Sequence, residues 1–142
     1  MTRQFLIYKI LNNKKIYWGI CFLYLSFVAY ASLCPIPLVT QEDLPKSFKF
    51  SLEMFFDKIL HLGSYVGAGF LFKGVTQETK KLIISLSLFG MAMEVGQYFI
   101  PTRSFEILDM LANCLGVAIG IAISNKLAID WQKLTLKLYQ LR

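Results

Sequence analysis

Long apolar runs separated by short charged segments make up most of the chain. A helix that crosses a bilayer needs about 20 consecutive apolar residues, and four of the runs come close to that length. The pattern therefore predicts an all-α fold, an integral membrane four-helix bundle. The predicted spans are residues 16–33, 54–72, 82–100 and 107–123.

The predicted second span is the least apolar of the four, because it contains Asp57, Lys58 and His61. If it did not cross the membrane, the number of crossings would be odd and the two termini would lie on opposite sides. Apolar residues still make up 56% of the chain and charged residues only 17%, which is unusual for a soluble domain. Composition thus favours the membrane interpretation.

The distribution of basic residues predicts an orientation. The net charge is +6, but the lysines flank apolar runs instead of forming a basic stripe, so we expect no nucleic-acid partner. Cytoplasmic segments carry the excess of lysine and arginine, which predicts that both termini are cytoplasmic. Eleven of the fifteen basic residues fall in the two tails and the middle loop: Arg3, Lys9, Lys14, Lys15, Lys73, Lys80, Lys81, Lys126, Lys133, Lys137 and Arg142.

The C-terminal tail has the pattern of an amphipathic helix. Apolar residues recur at helical spacing, and charged residues lie opposite them. Such a helix suits the cytoplasmic membrane surface, and docking to a partner helix is the alternative. We predict a basic N-terminal segment (1–15), a four-helix membrane domain (16–125) and this helix (126–142). Its apolar face consists of Leu127, Trp131, Leu134, Leu138 and Leu141.

Polar residues of three predicted helices fall at one depth. With a rise of about 1.5 Å per residue, they lie about 18–26 Å from the plane of the cytoplasmic lysines. Within each helix the two polar residues are three or four positions apart, so they share one face. We therefore expect a polar pocket in the outer half of the membrane. Its walls are Asp57 and His61, Glu94 and Gln97, and Asp109 and Asn113.

The short loop IPTRSFE places Arg103 over this pocket, with Pro101 ending one helix and Ser104 as the expected N-cap of the next. An ion cluster that only stabilises helix packing is the alternative to a functional pocket, although ionisable groups inside membranes are usually functional. Tyr65 and Gln97 each belong either to the pocket or to ordinary helix packing. A metal site of His61 with Asp57 and Glu94 is conceivable but disfavoured, because the chain has one histidine.

Two blocks of the sequence resemble a known family. The segments DKILHLGSY and EVGQYFIPTRSFEILDMLANCLGVAIG are similar to those of the VanZ-like family of small bacterial membrane proteins. The resemblance implies four transmembrane helices in the bacterial plasma membrane and a link to low-level resistance to the glycopeptide teicoplanin. The polar signature of the family falls on Asp57, Lys58, His61, Tyr65, Glu94, Gln97, Pro101, Arg103, Asp109, Asn113 and Gly116.

Two functions are consistent with this pattern. In the first, the pocket binds or acts on a cell-envelope component, such as a membrane lipid or a lipid-linked envelope precursor, without a cofactor. The candidate catalytic residues are then Glu94, His61 and Asp57, and the candidate ligand-binding residues are Lys58, Tyr65, Gln97, Arg103, Asp109 and Asn113. In the second, the protein is a non-catalytic membrane subunit or assembly factor whose polar cluster is structural. A proton-coupled transporter is disfavoured, because no comparable polar residues continue across the inner half.

Overall fold

The computed structural model describes residues 13–34, 46–101, 103, 105–127, 130, 133–134 and 136–137, without the side chains of residues 46–53. The regular structure in these ranges is helical and comprises four long helices. The prediction of an all-α four-helix fold is therefore confirmed. The helices are α1 (Lys14–Leu33), α2 (Lys46–Lys73), α3 (Thr79–Gln97) and α4 (Ile107–Lys126).

Local sequence explains the two ends of α1. The side chain of Asn13 accepts a hydrogen bond from the backbone N–H of Lys15 at 3.1 Å, which caps the first turn. The helix ends at Leu33, and Cys34 is already extended with ψ at 133°. A residue that precedes proline avoids the helical region, so Pro35 accounts for this end.

Helix α2 begins eight residues earlier than the predicted span, at Lys46 instead of residue 54. Lys46 and Lys49 fall outside the predicted span, and both lie in the helix. The added segment contains neither proline nor glycine, so nothing in it interrupts helical geometry. At about 1.5 Å per residue this helix is about 42 Å long, which exceeds the hydrocarbon thickness of a bilayer.

The α3–α4 connection differs in detail from the sequence prediction. Helix α3 ends at Gln97, before Pro101, and its backbone continues into a turn closed by the bond from Ile100 N to Gln97 O at 2.9 Å. The residue at the N-cap position of α4 is Glu106, so the predicted N-cap at Ser104, which lies outside the described residues, is wrong. Glu106 does not cap the helix with its side chain, which contacts Lys58 instead.

Helices α2 and α4 form the most extensive packing interface of the bundle. Glycines permit this close approach. A Cβ added at Gly116 would lie 2.5 Å from the carbonyl oxygen of Leu62, and one at Gly120 would overlap the carbonyl oxygen of Val66. Helix α1 packs more loosely, with only Cys21 and Val28 buried along its length. The bundle is therefore a tight α2–α4 pair to which α1 is more weakly attached.

Among the described residues, two helices, α1 and α4, are long and apolar enough to cross a membrane. Large apolar side chains also point outward, including Leu23 on α1 and Leu88 on α3, which are 73% and 57% exposed. Water does not favour such a surface, whereas lipid does. These observations agree with a membrane protein, and the four crossings with cytoplasmic termini stay a prediction.

The predicted terminal segments are described only in small part. In the predicted C-terminal helix, residues 133–134 and 136–137 are helical, while Trp131, Leu138 and Leu141 lie outside the described residues. Of the basic N-terminal segment, residues 13–15 are described. The division into three segments therefore also stays a prediction.

Candidate functional site

Charged and polar side chains of α2, α3 and α4 meet at the end of the bundle where α3 terminates and α4 begins. We call this group the polar cluster. It joins two helices that pack tightly, α2 and α4, to the last turns of α3. Its members are Asp57, Lys58, His61, Glu94, Arg103, Glu106, Asp109 and Asn113.

His61, Glu94 and Asn113 form the centre of the polar cluster. Nδ1 of His61 lies 3.3 Å from Oε1 of Glu94 and 3.2 Å from Oδ1 of Asn113. Asn113 Nδ2 donates to the same Glu94 oxygen at 3.3 Å, so its Oδ1 is the atom turned to the histidine. Since both neighbours of Nδ1 are acceptors, this nitrogen carries a hydrogen. The three side chains are 7% exposed or less.

Two ion-paired groups flank this centre. On one side, Lys58 Nζ donates to Glu106 Oε2 at 2.6 Å and lies 3.2 Å from Asp109 Oδ1. On the other side, Arg103 Nη1 donates to Asp57 Oδ1 at 3.1 Å. The second oxygen of Asp57 lies 3.7 Å from Nε2 of His61. The cluster is thus a continuous network from Arg103 through His61 to Glu94.

Arg103 also connects the cluster to α1. Its Nη2 donates to the carbonyl oxygen of Cys34 at 3.2 Å while Nη1 binds Asp57. A guanidinium presents several N–H groups in a rigid fork and can hold two acceptors at once, which an ammonium does less well. The Arg103 fork therefore links the end of α1 to α2.

Two predicted pocket residues lie apart from the ion-paired network. Gln97 is buried, but its Nε2 donates to the carbonyl oxygen of Ser32 at 2.9 Å and so joins α3 to α1. Tyr65 lies deeper on α2, where Gly90 leaves room for its ring. A Cβ added at Gly90 would come within 3.1 Å of that ring. Gln97 is thus a helix-joining contact, while Tyr65 borders the cavity described next.

A cavity of about 240 Å³ lies between α1 and α2 and reaches the polar cluster. Its α1 wall is mostly apolar, and its α2 wall carries Asp57, His61, Ser64 and Tyr65, with Arg103 at the same end. Glu94 does not line this cavity and is completely buried behind His61. A ligand in the cavity would therefore meet His61 directly and Glu94 only through it.

Two buried polar atoms, one in the cavity wall and one behind it, lack a hydrogen-bond partner within the described part of the chain. They are Oε2 of Glu94 and the hydroxyl of Tyr65. Buried polar groups are nearly always paired, and each unpaired one costs about 1–3 kcal/mol. The Tyr65 hydroxyl in the cavity wall can therefore bind a ligand, whereas Glu94 Oε2, behind His61, has capacity for a proton or a water molecule.

Asp57, His61 and Asp109 could hold a metal ion by distance alone, since their ligand atoms lie within 4.8 Å of one another. Both carboxylates are already paired with cations, Asp57 with Arg103 and Asp109 with Lys58. A metal ion would have to compete with these two basic side chains. The donor set therefore fits an ion-pair network better than a metal centre.

Sequence reasoning missed Glu106, which lies 2.6 Å from Lys58. A signal was present, because Glu106 precedes Asp109 by three residues and so projects from the same side of the α4 N-terminus. It also missed the backbone acceptors of Ser32 and Cys34, which bind Gln97 and Arg103. Every residue has a backbone carbonyl group, so the residue types do not show which of these groups accepts a side-chain hydrogen bond.

The fold and this site define a class, a small all-α bundle with a buried polar cluster at one end. The chain belongs to the VanZ/LLP1 family, whose family model matches residues 5–128. That range includes all four helices and every member of the polar cluster. Neither the curated proteins nor the solved structures contain a protein that matches this chain significantly.

Proposed function

We propose that the protein binds the polar end of an amphiphilic cell-envelope component in the cavity between α1 and α2. The observation that carries this proposal is the composition of the two cavity walls. Phe27, Val28 and Ala31 of α1 form an apolar wall, opposite a polar wall that includes Asp57 and His61. A membrane lipid or a lipid-linked envelope precursor has the same division into apolar and polar parts.

The packing of α1 supports entry from the side. This helix contributes little to the core, and Phe27 at the cavity is 64% exposed. Because α1 is apolar enough to span a bilayer, an opening between α1 and α2 would face lipid instead of water. An amphiphile could then enter without leaving the membrane.

The polar end of the cavity offers groups for binding and for proton transfer. Arg103 lies at this end, and its fork suits a phosphate or carboxylate that displaces Asp57. His61 and Tyr65 line the same cavity. Glu94, which contacts Nδ1 of His61, would act as a positioning residue that fixes the ring and balances its charge.

The lysine and arginine distribution favours a position of this cavity in the outer half of the membrane, which supports a cell-envelope ligand. We therefore extend the proposal to a four-span protein of the bacterial plasma membrane with cytoplasmic termini. Sensitivity to glycopeptide antibiotics is the corresponding cellular readout, as the family resemblance implies.

A substitution that fills the cavity tests the proposal. Ala31→Phe adds a ring to the apolar wall, whereas Ala29→Phe makes the same change on α1 at a residue that does not line the cavity. We expect Ala31→Phe to lose co-purifying lipid, detected by native mass spectrometry, and to lose its effect on teicoplanin sensitivity. Ala29→Phe should retain both. Equal lipid content and activity in the two variants would overturn the proposal.

The second candidate function is a non-catalytic membrane subunit with a structural polar cluster. One observation favours it: Lys58 and Arg103 are both paired with carboxylates, as in a cluster that only holds helices together. Purification distinguishes the two. A protein that is active alone supports the binding site, and a stoichiometric partner protein supports the subunit.

A further inference from the structure

A second polar site lies at the opposite end of the bundle, where α2 and α4 terminate. A cavity of about 470 Å³ is bordered there by Lys73, Ser124 and the described residues Asp130, Lys133 and Lys137. Small-molecule sites in proteins commonly enclose about 300–1,000 Å³, so this cavity can hold a ligand. It shares no residue with the polar cluster, and nothing described above uses it.

Lys73 is a buried cation in the wall of this cavity, with 5% of its surface exposed. Its ammonium group donates to the carbonyl oxygen of Thr76 at 3.5 Å and to Oε1 of Gln77 at 3.3 Å. Both acceptors are neutral, and both bonds are longer than the about 2.7–2.9 Å typical of an ammonium with an anionic oxygen. No carboxylate pairs with Lys73 within the described part of the chain.

Ser124 supplies an unpaired hydroxyl to the same wall. The residue is 1% exposed, and its Oγ has no hydrogen-bond partner among the described atoms. A serine within a helix often satisfies its hydroxyl on the carbonyl four residues earlier, but here it does not. A ligand that accepts a hydrogen bond from Oγ would remove this unfavourable burial.

The charge around the cavity is positive. Lys73, Lys133 and Lys137 line it together with one acid, Asp130, whose carboxylate lies 3.8 Å from Lys133 Nζ. Three lysines against one aspartate leave an excess of two positive charges. A buried cation with neutral partners, an unpaired hydroxyl and a positive rim together suit an anion with several acceptor oxygens.

We propose that this cavity binds a phosphate group, carried by free phosphate or by a lipid head group, with Lys73 and Ser124 as its buried donors. Lys133 and Lys137 add positive charge at the rim. The proposal does not depend on the function of the polar cluster. It gives the protein a second binding site at the other end of the bundle.

Calorimetric titration of the full-length protein in detergent tests this site with three probes: inorganic phosphate, short-chain phosphatidic acid, and diacylglycerol, which lacks phosphate. We expect the first or the second to bind, and the third not to. Ser124→Ala and Lys73→Gln should each weaken binding about tenfold or more, as the loss of a hydrogen bond to a charged group predicts.

Lys81→Gln is the matched control, because it removes the same charge from the same end of the bundle. Lys81 is 81% exposed, pairs with Glu78 and does not line the cavity. The Lys81→Gln variant should change the affinity for the phosphate probes by less than about twofold, because an exposed charge contributes little. Ser124→Ala removes an unpaired buried hydroxyl, so it should keep or raise the melting temperature and tests the site even if Lys73→Gln fails to fold.

Each outcome is decisive. Binding of phosphate and phosphatidic acid with similar affinity identifies a phosphate site, whereas binding of phosphatidic acid alone identifies a lipid head-group site. If Lys81→Gln and Lys73→Gln weaken phosphate binding equally, the probes respond only to the general surface charge, and the proposal is overturned. So would binding of diacylglycerol as tight as that of phosphatidic acid, or no binding of either phosphate probe.

Discussion

Oε1 of Glu94 lies 3.3 Å from Nδ1 of His61 and joins α3 to α2 inside the bundle. The same oxygen accepts a hydrogen bond from Asn113 of α4. One carboxylate oxygen therefore holds three helices together, while the other has no partner among the described residues. This asymmetry allows structural and functional roles of Glu94 to be separated by experiment.

Glu94→Gln should abolish function and leave stability nearly unchanged. Glutamine keeps the Oε1 acceptor for His61 and Asn113, and it replaces the unpaired Oε2 with a neutral amide. The buried charge disappears, so we expect the free energy of unfolding to change by no more than about 1 kcal/mol. Thermal unfolding in detergent and teicoplanin sensitivity measure the two effects.

Glu78→Gln is the control for this prediction. Glu78 precedes α3 and has a side chain that is 66% exposed, so the same chemical change there should affect neither readout. If Glu94→Gln remains fully active, or is inactive only because it unfolds, the polar cluster is structural.

Arg103→Lys should reduce function more than stability. The substitution keeps the positive charge but loses the fork that holds Asp57 and the carbonyl oxygen of Cys34 together. Because lysine keeps a positive charge beside Asp57 and only one hydrogen bond of the fork is lost, the free energy of unfolding should fall by about 1 kcal/mol.

Lipid content by native mass spectrometry and teicoplanin sensitivity test the functional part of this prediction. Lys80→Arg, an exchange between the same two residue types at an exposed position outside the cluster, is the control and should be neutral. An Arg103→Lys variant with wild-type activity would show that a point charge is sufficient and that the fork is unnecessary.

The α2–α4 interface should tolerate no added methyl group. In Gly120→Ala the new Cβ would overlap the carbonyl oxygen of Val66, and in Gly116→Ala it would lie 2.5 Å from that of Leu62. Backbone atoms cannot move aside locally, so the helices must separate, at a cost of about 1–3 kcal/mol or more. Thermal unfolding in detergent measures this loss.

Gly63→Ala is the control within α2, and we do not expect it to destabilise the protein. A Cβ at Gly63 meets no atom within 4 Å, and alanine favours helix over glycine by about 1 kcal/mol. This variant should be as stable as the wild type or more stable. Equal destabilisation by Gly63→Ala and Gly120→Ala would contradict the close-packing explanation.

The sequence predicted the central contacts of the site because helices are regular. A fixed rise and a fixed turn angle place His61, Glu94 and Asn113 at one depth and on facing sides, and the structure brings their side chains into contact. Gln97 departs from this pattern. It is three residues after Glu94, which turns it about 60° away on the helix, and it binds Ser32 of α1.

The remaining features could not be predicted from periodicity. The α3–α4 connection is not helical, so the position of Arg103 and the start of α4 at Ile107 depend on turn hydrogen bonds. The start of α2 at Lys46 could not be predicted because a helical segment with several charged residues resembles a loop in hydropathy. The roles of the site residues stay predictions.

The orientation of the bundle is the last prediction, and single cysteines can test it. We expect the turn between α2 and α3 to be cytoplasmic and the segment before α4 to face outside, since basic residues flank the former. Gln77 and Phe105 are both exposed and lie in these two connections. In a background without Cys21, Cys34 and Cys114, Phe105→Cys should react with a membrane-impermeant maleimide in intact cells. Gln77→Cys should react only after the cells are permeabilised, and the reverse pattern would place the polar cluster on the cytoplasmic side and refute an outer-leaflet ligand.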